Sequence, residues 1–91
     1  MNNRRSNVEV IADILRLGEA GKTEIMYSTN MSYRQLQQYL EFLTQHEFIQ
    51  IMKVGNPVTT YKVNKRGLRL LETIENLLEM LDWRNDWRDE S

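Results

Sequence analysis

Residues 48–63 read as a β-hairpin, and everything else in the chain has to be arranged around it. Phe48-Ile49-Gln50-Ile51-Met52-Lys53 and Val58-Thr59-Thr60-Tyr61-Lys62-Val63 are rich in β-branched and aromatic residues. Their apolar and polar positions mix as they do in half-buried strands. Between them, Val54-Gly55-Asn56-Pro57 holds the densest turn chemistry in the sequence.

Helical patterns flank the hairpin. Ser6-Asn7-Val8-Glu9 is a capping-box signal, a hydroxyl for an orphan N–H with a glutamate three residues on. Val8, Ile11, Ala12 and Leu15 follow at helical spacing, and Gly18 and Gly21 close the segment, which predicts a helix over about 7–18. A short helix over roughly 23–29 turns Ile25 and Met26 inward, and Asn30-Met31-Ser32 breaks it. Ser32 and Gln35 repeat the capping-box spacing, so a third helix runs over about 33–46 with Leu36, Tyr39, Leu40 and Leu43 as its buried stripe. Two helices joined by so tight a turn form a helix-turn-helix unit. Asn64 caps a long final helix from Lys65 to about residue 86. The expected class is mainly α (α+β): a winged helix-turn-helix with a two-stranded β-hairpin wing and a long C-terminal dimerisation helix. The expected division is a winged domain over 1–64 and a coiled-coil helix with an acidic tail over 65–91.

Four segments carry a family resemblance. Lys22-Thr23-Glu24-Ile25-Met26, Asn30-Met31-Ser32-Tyr33, Leu36-Gln37-Gln38-Tyr39-Leu40-Glu41-Phe42-Leu43 and Tyr61-Lys62-Val63-Asn64-Lys65-Arg66-Gly67 resemble, in order, segments of a family of small archaeal winged-helix proteins. The similarity covers about residues 7–70. It implies DNA binding and, for members with a long last helix, a two-winged dimer joined by an antiparallel coiled coil. Two features depart from the pattern. Glu47 precedes Phe48-Ile49 where the family usually has glycine, and the third helix is poor in Lys and Arg.

The second helix of such a motif enters the major groove of duplex DNA. Opposite the leucine stripe lie Arg34, Gln37, Gln38, Glu41 and Gln45, and Gln35 sits in the first turn. Arginine suits guanine and glutamine suits adenine. Ser32 and Tyr33 lie at the helix N-terminus, where exposed N–H groups favour a phosphate; for Tyr33 a core contact stands as the alternative. Lys22, Thr23, Lys53 and Lys62 are candidates for the sugar-phosphate backbone, with Asn56 at the wing tip. Tyr39 belongs to the core stripe.

Leu70, Leu71, Ile74, Leu77, Leu78 and Leu81 share an arc of about 120° on the last helix, and Leu70-Ile74-Leu77-Leu81 has a coiled-coil step. A second copy is the expected cover. Antiparallel pairing centred near 75–76 sets Lys65, Arg66 and Arg69 against the acidic end of the mate, Asp82 and Asp86 included. Met80, Trp83 and Trp87 share another face. They pack on the winged body or on the mate, or they form a patch for a third protein; a protein-interaction module without DNA binding is the competing reading.

Charge and composition bound the rest. Residues 1–69 carry ten Lys/Arg and six Asp/Glu, and residues 70–91 carry two Arg and seven Asp/Glu, so a basic body bears an acidic tail. Ninety-one residues make one domain. Cysteine is absent and His46 is the sole histidine, which argues against disulfides, thiolate or histidine-rich metal sites and cofactors. No phosphate loop, catalytic triad or paired carboxylates point to an enzyme. Neither a signal peptide nor an apolar run of membrane length stands out, and a cytoplasmic protein is expected.

Overall fold

The structure, a computed structural model, describes residues 6–55 and 59–81. The order is α1 (Asn7–Arg16), β1 (Glu19–Ala20), α2 (Lys22–Thr29), α3 (Tyr33–Gln45), β2 (Ile49–Lys53), β3 (Thr59–Val63) and α4 (Lys65–Leu81). Both capping boxes form. Ser6 Oγ accepts from the Glu9 N–H at 3.1 Å while the Glu9 carboxylate accepts from the Ser6 N–H at 3.2 Å. Ser32 and Gln35 repeat the exchange at 3.2 and 3.3 Å. The Asn64 carboxamide oxygen accepts from the Gly67 N–H at 2.8 Å and so starts α4. Residues 82–91, over which the last helix was expected to continue to about 86, and Asn56 at the wing tip lie outside the described residues.

Among the described residues the sheet has three strands where the sequence pattern gives two. The residues between Gly18 and Gly21 form β1, which pairs antiparallel with β3 through Glu19↔Lys62 and Ala20↔Tyr61. The order is β1-β3-β2, with β2 and β3 in register from Ile49↔Val63 to Lys53↔Thr59. The Thr60 hydroxyl donates to the Glu19 carboxylate at 2.7 Å, and the Val63 N–H donates to the Gly18 carbonyl at 2.7 Å.

One core joins the helices to the sheet: Val10, Ile14, Leu15, Ala20, Ile25, Leu36, Leu40, Leu43 and Ile49. The first half of α4 belongs to the same body. Leu70 and Leu71 pack against the core, Gly67 is buried, and Ile74 is only 6% exposed. An Arg16–Glu75 ion pair of 2.9 Å ties α1 to α4. This corrects the expected seam: α1 of the same chain covers Leu70, Leu71 and Ile74, and only Leu77, Leu78 and Leu81 extend beyond it. It also moves the expected boundary after residue 64, since α4 enters the core from its first turn.

The end of α3 explains the Glu47 departure. The Phe48 N–H bonds to the Leu43 carbonyl at 2.8 Å and the Glu47 N–H to the Thr44 carbonyl at 3.0 Å, the double closure of a Schellman motif. Glu47 takes the left-handed position with φ +62°. That region costs a side-chain-bearing residue about 1–2 kcal/mol, partly offset in glycine by its greater freedom when unfolded. Glu47→Gly is therefore expected to raise stability by about 1 kcal/mol, roughly 4–8 °C in Tm, in a thermal melt followed by circular dichroism. An unchanged or lower Tm would show that the glutamate is not strained there.

Candidate nucleic-acid interface

Burying Leu36, Leu40 and Leu43 fixes how α3 is rotated. At about 100° per residue the opposite line is Arg34, Gln38, Glu41 and Gln45, and all four are exposed. The stripe mixes one cation, one anion and two carboxamides, a surface that can donate and accept hydrogen bonds along about three turns.

Two expected members of this surface sit otherwise. Gln37 is half-buried, its side-chain oxygen enclosed without a hydrogen-bond partner. It lines a small hollow with Leu40, Thr44, Ile51 and Tyr61. The reason is the sheet, which covers that flank of α3 and leaves a narrower outward face than a lone helix would have. Gln35 is exposed, but its carboxamide oxygen is turned back onto Ser32.

The N-terminus of α3 is braced from α2. The Lys22 ammonium donates to the Tyr33 hydroxyl at 3.1 Å and lies 4.9 Å from the Tyr33 ring centre. This hydrogen bond raises the Lys22 pKa above its ordinary value; burial opposes the rise, and Tyr61 adds to it. Lys22 therefore keeps its charge throughout the neutral range. Tyr33 is exposed, so the core alternative for its ring does not hold. Tyr39 is half-buried as expected, with its hydroxyl donating to Asn7 Oδ1 at 2.7 Å.

Ser32 and Thr23 are exposed beside this brace. Lys53 on β2 and Lys62 on β3 are exposed on the hairpin. Two tyrosines that sequence reasoning passed over are placed by the structure. Tyr27 is 84% exposed on α2, opposite the buried Ile25 and Thr29, a position readable from the helical period. Tyr61 reaches Lys22 only through the fold, because β3 lies beside β1.

Comparison with known proteins places this architecture. The winged helix-turn-helix family profile matches residues 4–82. The uncharacterized protein MJ0287 of Methanocaldococcus jannaschii is 32% identical over 82 residues, covering 87% of this chain and 79% of that protein. Among solved structures, Sso10a-2, a DNA-binding protein from Sulfolobus solfataricus, superposes with a TM-score of 0.81 at 24% identity, over 94% of this chain and 92% of that one. BpsR of Bordetella bronchiseptica, whose DNA binding is regulated by 6-hydroxynicotinic acid, gives a TM-score of 0.72 at 13% identity, over 91% and 66%. These two likenesses are of fold. The profile match over most of the sequence and the archaeal relative agree with the order of elements: the chain belongs to the winged helix-turn-helix family.

Proposed function

We propose that the chain binds duplex DNA as a homodimer and acts in the cytoplasm as a transcription regulator or an architectural protein. The observation that carries the reading is the exposed Arg34–Gln38–Glu41–Gln45 line, set outward by the leucine stripe behind it. In this reading Arg34 and Gln38 meet base edges in the major groove. Lys22, Thr23, Ser32 and Tyr33 hold backbone on one side, and Lys53, Lys62 and Asn56 hold it on the wing side. Phosphate contacts give affinity, and the short polar stripe gives preference among sequences. Dimerisation uses Leu77, Leu78 and Leu81, the part of the ridge that α1 does not reach. An antiparallel arrangement is favoured because a parallel one sets Glu72, Glu75, Glu79 and Asp82 each beside its own copy.

The test is a binding titration on genomic fragments at several salt concentrations. Each phosphate neutralised contributes about −0.9 to the log–log salt slope, so six to nine contacts by a dimer predict roughly −5 to −8. Arg34→Ala with Gln38→Ala is expected to flatten the preference among fragments, costing about 1–3 kcal/mol per lost base contact on the best site. Lys53→Ala is expected to weaken all fragments alike and to reduce the slope by about one unit. Binding that is indifferent to salt, or a sequence preference surviving the double variant, would refute the assignment.

A further inference from the structure

A second surface, bordering the polar stripe at Thr44 and Ile51, lies where the C-terminal end of α3, the outer edge of β2 and the first turn of α4 meet. An open groove of about 980 Å³ runs there, lined by Glu47, Ile49, Ile51, Met52, Lys65 and Arg66 among others. β2 is an edge strand in the order β1-β3-β2, so one row of its backbone groups has no partner strand among the described residues. Ile51 is 49% exposed in this groove. Lys65 and Arg66 take part in neither of the ion pairs found among the described residues. Arg66 is also held in place: its Nε donates to the His46 carbonyl at 3.0 Å, and its guanidinium lies 4.9 Å from the Phe48 ring centre. The other guanidinium N–H groups remain to be shared. An apolar side chain, an open strand edge and two cations suit an acidic segment that carries large apolar residues.

The sequence contains such a segment. Residues 82–91 hold Asp82, Asp86, Asp89 and Glu90 against two arginines, together with both tryptophans of the chain, Trp83 and Trp87. Within one chain this segment starts at the far end of α4: Leu81 is 16 residues from Lys65, about 24 Å along the helix. In an antiparallel pair seated on Leu77, Leu78 and Leu81, the partner's Leu81 comes beside Leu77, 12 residues or about 18 Å from Lys65, and the partner's chain runs toward Lys65 rather than away from it. We infer that the groove between β2 and α4 receives the C-terminal segment of the second copy, with the partner's Trp83 and the partner's Trp87 against Ile51 and its acidic groups against Lys65 and Arg66. The inference rests on the antiparallel dimer proposed above. It adds a second attachment, through which each tail clasps the opposite winged body.

Because the chain has tryptophan only in this segment, emission from selectively excited tryptophan reports on the tail alone, free of the four tyrosines of the body. Emission and acrylamide quenching are read on the full chain, with mass by light scattering on the same samples. The expected result is a dimer with blue-shifted, poorly quenched emission. Lys65→Glu, and separately Ile51→Ser, should move the emission to the solvent-exposed spectrum and raise quenching a few-fold while the mass stays dimeric. Lys65→Glu combined with Asp86→Lys should restore the shielded spectrum, which a damaged fold would not do. A wild-type dimer with fully exposed emission, leaving the tail free for a third protein, overturns the inference. So does shielded emission unmoved by either variant, or retained in monomeric Leu77→Glu/Leu81→Glu, which would seat the tail elsewhere or on its own body. A wild-type chain that is monomeric overturns the dimer itself, and the mass measurement separates that failure from the others.

Discussion

Gly67→Ala is expected to destabilise the protein by about 3 kcal/mol or more, a drop of roughly 10–25 °C in Tm. A Cβ at this position would run into the Phe48 carbonyl oxygen and lie 2.8 Å from Val63 Cγ1. The obstacle is backbone, and it is already engaged, since the Phe48 carbonyl accepts from the Asn64 N–H at 3.3 Å. Relief would require moving the start of β2 or tilting α4 away from the core. Intrinsic helix propensity argues the other way, favouring alanine over glycine by about 1 kcal/mol inside a helix. The sign of the measured change therefore decides between local preference and close approach. A Tm equal to or above that of the unsubstituted chain would mean that α4 does not dock against β2 and β3 at Gly67.

The second large effect separates two parts of one apolar ridge. Ile74→Ala is expected to cost about 2–5 kcal/mol of folding stability, because the residue is buried under α1 and the cavity would lie within the chain. Leu77→Glu with Leu81→Glu is expected to leave the fold in place, since these side chains are 47% and 39% exposed, and to convert the proposed dimer to a monomer in light scattering. DNA affinity should then fall about 10²-fold or more, as two linked contacts become one. A dimer unaffected by the leucine pair would refute this seam. Urea unfolding at several protein concentrations completes the contrast, because loss of the seam removes the concentration dependence that a dimer shows.

What could be read from the sequence was mostly local chemistry. Ser6/Glu9 and Ser32/Gln35 specify helix starts within four residues, and the turn at 54–57 specifies the hairpin. Each therefore survives without knowledge of the rest of the fold. β1 could not be read in the same way. Two residues carry no period, and its pairing with β3 depends on residues more than forty positions away. The spacing around Ile74 was legible as an apolar stripe, but a stripe does not name its cover, and α1 serves as well as a second copy. Gln37 failed for a related reason: the helical period sets its angle on α3, whereas the position of the sheet sets whether that angle is outside. Glu47 stood out against the family pattern, and its left-handed backbone supplies the meaning of that mismatch.

The middle place of β3 has a mechanical consequence. One of its edges is bonded to the α1–α2 connection, through Ala20↔Tyr61 and the Thr60–Glu19 contact, and the other carries β2. A push on the hairpin is therefore transmitted to the junction of α1 and α2, and through Arg16 and Glu75 onto α4. The root of the wing behaves as a clamped beam rather than a swinging arm. In the proposed dimer the span between the two wings would then be a fixed gauge, set by helix length, and duplex that did not match it would have to bend.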